Sequence, residues 1–198
     1  MEPARSPYHE PSSRMSISLP ASGEFSPYYA GYIDGASRQV STMEGGSVVD
    51  LLTLQTAALR DLLKHVDDAF ARQAYAPGKW TLAESLVHVA DTERVFSYRL
   101  LRVARGDATP LPPFDHDAWV PLSRANTRSL SDILIDIDVV RASTLSLLHS
   151  LDQPAFLRIG TASSHAVSAR ALAWIIAGHF AHHLELTRDR YLGSPARS

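Results

Sequence analysis

The chain of 198 residues contains no cysteine. That absence removes disulfide scaffolds, thiolate-ligated zinc, iron–sulfur clusters and a cysteine nucleophile together. Long apolar runs are also missing. The longest, Ala171 to Ala177, is stopped by Gly178 and His179, well short of the roughly 18 residues that a bilayer span needs. Nor is there an excess of one charge: 19 Lys and Arg face 21 Asp and Glu, a formal net charge of −2 with a pI near 6.5. No basic field exists to collect phosphates, which excludes nucleic acid as the main partner. The first twenty residues, MEPARSPYHEPSSRMSISLP, carry Pro and Ser where a secretory signal needs an apolar stretch. The expectation is a cytoplasmic protein without a membrane anchor. Period-two alternation, Asn-Gly turns and internal repeats are likewise missing, which argues against sheets and solenoids.

What is present is a helical pattern. From Ser47 the apolar residues Leu52, Leu59, Leu62, Leu63, Val66 and Phe70 recur at helical spacing behind a Ser47/Asp50 start, predicting a first helix over 48–71. Pro77-Gly78 breaks the chain, and Thr81 with Glu84 forms a capping box for a second helix carrying Leu82, Leu86, Val89, Phe96 and Leu100 and ending near Gly106. The stretch from Thr109 to Pro121 holds four prolines and reads as a long connection. A third helix follows from Ser129 to His149 and a fourth from Ser168 to Leu192, closed by Gly193 and Pro195.

Four helices make an all-α bundle, and the long link between the second and third lets them run parallel, giving an up-down-down-up order. Residues 1–46 hold five of the twelve prolines, nine serines and five glycines, too polar and too flexible to form a core. Residues 1–24 are therefore expected to be a disordered tail, 25–193 the folded domain and 194–198 a short C-terminal tail. Within residues 1–46 the aromatic segment Phe25 to Ile33 reads as a strap lying on the bundle.

Nine histidines stand in the chain, three of them within five positions. His179 and His183 lie four apart on the fourth helix, the spacing at which two imidazoles share a face and can ligate zinc. Phe180 occupies the place of a zincin's general base, which excludes that mechanism. His182 lies about 60° to the other side of His179 and is an alternative to His183. His88, on the second helix, is a candidate third ligand. Three imidazoles from two helices would leave coordination positions open, the pattern of a catalytic site. Gly178 beside His179 fits either the close approach of a backbone or ligand, or plain tight helix packing.

Taken together, Tyr75-Ala-Pro-Gly-Lys-Trp80, His88-Val-Ala-Asp91-Thr-Glu93-Arg94, Phe114-Asp-His-Asp-Ala-Trp119 and Gly178-His179-Phe-Ala-His182-His183 resemble the DinB/YfiT-like superfamily, in its DinB_2 branch. The resemblance spans about residues 25–193. It implies a four-helix bundle with a three-histidine divalent metal site, the homodimers common in such families, and activity as a metal-dependent hydrolase or thiol-dependent S-transferase. Matched block by block, the ligands fall on His88, His179 and His183. Zn²⁺ or Ni²⁺ is the expected ion, and the expected partner is a small-molecule substrate, a low-molecular-weight thiol being one.

Asp91 and Glu93 are then candidates for orienting an imidazole or moving a proton, or else solvated charges paired with Arg94. Trp80, Asp115 and Trp119 are candidates for the pocket wall, or else core plugs and caps. The rival to an enzyme is a non-catalytic module whose metal only braces the bundle.

Overall fold

The computed structural model describes residues 16–193. An extended strap with two 3-10 turns leads into α1 (Ala30–Ser41), followed by α2 (Val48–Leu63), a short α3 (Asp68–Ala71), α4 (Leu82–Ala104), a one-turn α5 (His116–Trp119), α6 (Leu130–His149), α7 (Gln153–Phe156), strands β1 (Ile159–Ala162) and β2 (His165–Ser168), and α8 (Ala169–Leu186). The chain then winds through a wider π turn, Thr187–Leu192.

Side-chain caps set the starts of the long helices. Ser47 and Asp50 satisfy each other's backbone N–H groups at α2, Thr81 and Glu84 do the same at α4, and Ser129 and Ser168 cap α6 and α8. The contact register fixes the topology. Ser85 meets His183 and His88 meets His179, so α4 and α8 are antiparallel. Arg94 meets Asp136 while Asn126, just before α6, meets Glu84, so α4 and α6 are parallel. Arg141 meets Leu52 and Asp138 meets Arg60, so α2 opposes α6. The order is up-down-down-up, with the proline-rich crossover returning the chain to the start of the parallel helix.

Three expectations need correction. The first helix does not run to residue 71: α2 stops at Leu63, and Asp67 caps the separate turn α3. The strap continues as a true helix, α1, which the glycines at 31 and 35 hide from a propensity reading. A β-hairpin precedes α8, with β1 and β2 antiparallel in the register Ile159 to Ser168. Its turn residues Ser163 and Ser164 both take positive φ, 52° and 66°, without the Gly or Asn that advertises such a turn.

The tail also departs from expectation in part. Residues 1–15 and 194–198 lie outside the described residues, but 16–24 are packed. Ile17 is buried, Trp174 Nε1 donates to the Ser18 carbonyl at 3.1 Å, and Arg170 pairs with Glu24.

The apolar core falls into two clusters stacked along the bundle. One gathers Leu52, Phe96, Leu100, Leu148, Trp174 and Ile175; the other gathers Leu59, Leu86, Ile133, Ile137 and Phe180. Between them runs a layer of buried polar residues drawn from all four long helices: Gln55, His88, Thr92, Glu93, Arg141, Thr144 and His179. Helix α1 lies across α8 at this level. A Cβ on Gly178 would stand 2.0 Å from the Tyr32 carbonyl oxygen, so only glycine allows that approach, and the close approach of another backbone read from the sequence is realised where α1 packs on α8.

Candidate metal centre

His88, His179 and His183 converge between α4 and α8, each at least nine-tenths buried. One ring nitrogen from each lies within 4.8 Å of the other two, an arrangement able to hold a divalent metal ion. The Nε2 atoms of His88 and His179 face each other at 3.2 Å. Thr92 Oγ1 stands 3.4 Å from Nδ1 on the other edge of His88, and Ser85 Oγ stands 3.2 Å from Nδ1 of His183. Burial pushes the His88 imidazolium down to about 4, helped by His116, and holds those of His179 and His183 well below the ordinary value. All three rings are therefore neutral near pH 7, the state in which imidazole ligates. His182 faces outward instead, exposed and edge-on to Tyr32.

This donor set fits a metal ion. Ligands about 2.0–2.1 Å from a tetrahedral centre sit about 3.3 Å apart, close to the 3.2 Å between the facing Nε2 atoms. Two lone pairs aimed at each other across that gap repel unless a shared cation, or a proton, lies between them. With Nε2 kept as the lone pair, Nδ1 of His88 carries the proton and donates to Thr92, and Nδ1 of His183 donates to Ser85. Such outer contacts fix both tautomer and ring angle.

The surroundings are aromatic. The Trp80 ring lies 4.9 Å from His88 at a tilt of 49°, His116 lies 5.3 Å from His88, and Tyr32 meets His179 edge-on at 5.5 Å. Tyr191, in the π turn, donates to the Trp80 carbonyl at 2.8 Å and so anchors that wall. A cavity of about 220 Å³ opens onto His88 and His179, lined also by Tyr29, Phe96, Phe114, His116 and Ser163. A second, of about 250 Å³, opens onto His183 between Trp80, Ser85 and Tyr191. A larger groove of about 540 Å³ between α1 and α8 is lined by His182 but by none of the three buried imidazoles.

Of the residues singled out in the sequence, Trp80 lies against the cluster, whereas four others are not brought to it. Asp91 turns toward α6 and pairs with Arg94 at 3.0 Å, its carboxyl pushed up by burial. Glu93 is buried in a two-pronged pair with Arg141. Asp115 is the exposed cap of α5. Trp119 is 41% exposed and stacks on Phe114, outside the cavity. Sequence reasoning missed His116, Tyr32, Tyr191 and the positioning hydroxyls of Ser85 and Thr92. Only the last two carried a signal, at i−3 and i+4 from His88 on its own helix.

The sequence profile of the DinB superfamily matches residues 51–187. The chain belongs to the DinB superfamily. Among solved structures this DinB-superfamily chain is similar to YfiT from Bacillus subtilis, described as a probable metal-dependent hydrolase with an unusual four-helix bundle topology. The TM-score is 0.66 at 21% identity, over 75% of this chain and 87% of that one. At that identity the likeness is one of fold. No curated protein matches the sequence. Among the described residues no helix is long and apolar enough to cross a membrane.

Proposed function

We propose that this DinB-superfamily protein is a metal-dependent enzyme acting on a small molecule, by hydrolysis or by transfer of a low-molecular-weight thiol. His88, His179 and His183 would hold the ion, Zn²⁺ or Ni²⁺. The observation that carries the reading is the cavity that opens onto two of the three imidazoles. A metal serving only as a brace would sit in a saturated site, with no room beside it. Bound there, the ion would supply the Lewis acidity that lets water or a thiol react as its conjugate base near neutral pH.

The chain's own residues do the rest. Thr92 and Ser85 hold the imidazoles in one tautomer, and Trp80 with His116 roofs the triad and limits bulk water. Tyr29, Phe96 and Phe114 give the cavity apolar walls suited to the body of a small substrate. A homodimeric, cytoplasmic protein that binds neither nucleic acid nor membrane completes the reading, in keeping with the balanced charge.

Elemental analysis of tag-free protein, purified without added metal or chelator, tests it beside a His88→Ala/His179→Ala/His183→Ala variant. About one equivalent of metal in the wild type and none in the variant is expected. With the metal-loaded protein, ester hydrolysis and thiol conjugation are then expected to be lost in the variant. Metal retained by the variant would overturn the ligand set. Metal without any such activity would favour the brace.

A further inference from the structure

On α4 the residues His88, Thr92, Phe96 and Arg99 follow at spacings of four, four and three and so share one face of the helix. The first three line the cavity beside the triad. Arg99 lies behind them, only 3% exposed. Its Nη2 donates to the Pro112 carbonyl at 2.7 Å and to Ser163 Oγ at 3.0 Å. Its guanidinium lies 5.8 Å from the centre of the Phe96 ring and 5.3 Å from that of Phe114, and the Tyr29 hydroxyl lies close to it.

Every one of these neighbours is neutral. Among the described residues Arg99 takes part in no ion pair, whereas Arg141, equally buried, is matched by Glu93. Neutral acceptors replace lost hydrogen bonds to water but leave a buried charge without a countercharge, an arrangement that is costly unless an anion joins it. Four of the neighbours, Tyr29, Phe96, Phe114 and Ser163, also line the cavity. The uncompensated charge therefore stands directly behind that wall, joined to it through the Ser163 hydroxyl.

The hairpin turn is shaped to the same end. Ser163 and Ser164 hold a left-handed backbone that non-glycine residues disfavour. The Ser163 N–H is fastened to the Leu111 carbonyl at 2.9 Å, which presents its hydroxyl to Arg99 and to the cavity.

We propose that the cavity takes a small organic carboxylate whose anionic end accepts from the Ser163 hydroxyl, backed by the charge of Arg99, with its body between Tyr29, Phe96 and Phe114 and its reacting end toward His88 and His179. The substrate class rests on the proposed function. The anion contact itself needs no metal.

The test is titration calorimetry with benzoate and its neutral isostere benzamide, on the wild type and on the triple histidine-to-alanine variant. Both proteins are freed of metal by chelation so that no ion competes for the carboxylate. Benzoate is expected to bind both proteins about 10- to 100-fold more tightly than benzamide, the range of a charge-assisted contact. Arg99→Met is expected to abolish that preference and Arg99→Lys to keep part of it. Equal affinities, or binding of neither probe by the wild type, would overturn the proposal, as would an unchanged preference in Arg99→Met.

Should Arg99→Met not fold, the wild-type comparison stands, and ¹⁵N spectra of the arginine Nε–H groups supply a second readout. The Arg99 resonance, identified by its loss in Arg99→Lys, is expected to move with benzoate and not with benzamide; a resonance indifferent to both would overturn the assignment. A benzoate preference in a protein that binds no metal would sink the enzyme reading and leave this one standing.

Discussion

Two polar clusters sit in the layer between the apolar halves of the bundle, on different faces of α4, and they are built to opposite rules. Around Glu93 everything is matched. Arg141 reaches it with Nε and Nη2, both at 2.8 Å, spends Nη1 on the Leu52 carbonyl and Gln55, and lies 4.6 Å over the Phe180 ring. Gln55 passes the chain of bonds on to the Ala177 carbonyl at 2.8 Å. Each of the four long helices contributes, and no donor points at empty space. Around His88 the outer edges are satisfied by Thr92 and Ser85, while the inner nitrogens face one another and a cavity. A saturated polar network fixes how helices pack. An unsaturated one, equally buried, is a place for a ligand.

The largest effect that would sharpen this contrast is on the saturated side. Glu93→Ala leaves the Arg141 charge buried and unpaired, and is expected to cost about 3–5 kcal/mol in urea unfolding, with metal content per folded molecule unchanged. A loss below about 1 kcal/mol would mean that the pair is not the clamp described.

Next comes acid. In the metal-free protein the His88 ring, held at about 4 against an ordinary 6.5, refuses a proton that the unfolded chain accepts. Stability is therefore full above about pH 6.5, falls as pH drops toward 4, and loses no more from that residue below 4. His88 alone accounts for about 3 kcal/mol, and His179 and His183 act in the same direction. Unfolding curves between pH 7 and 4 are expected to flatten in the triple alanine variant. The same slope in both proteins would place the acid sensitivity elsewhere.

The smallest effect is at the hydroxyls. Thr92→Val and Ser85→Ala are each expected to weaken metal binding about 10- to 100-fold, with stability within about 1 kcal/mol of wild type. Unchanged affinity in competition with a chromophoric chelator would show that the hydroxyls do not orient the rings.

Much of this architecture was legible one helix at a time. Ser47 with Asp50, Thr81 with Glu84, Ser129 and Ser168 mark real helix starts because a capping bond joins residues only two or three apart. The four-residue interval of His179 and His183 reads directly as a shared face. Helix α1 escaped notice because Gly31 and Gly35 lower its propensity, and its support comes from contact with α8 instead. The hairpin escaped because its turn uses Ser163 and Ser164 in a conformation that the surrounding contacts enforce. Glu93 misled for a related reason. Five residues from His88 on a helix is about 140° around the axis, which carries it away from the histidines to Arg141, a residue 48 positions along the chain.

The sequence by itself determined the helical class, the cap positions, the crossover and two imidazoles on one face, since each rests on intervals of a few residues governed by backbone geometry. The tertiary structure turns His183 inward and His182 outward, the choice that spacing left open and the resemblance implied, and it alone decided that His116 and Tyr32 join the site and that Arg99 lacks a countercharge where Arg141 has one. Those outcomes depend on which side chains from distant segments meet in the interior, where burial makes each unmatched charge or lone pair costly.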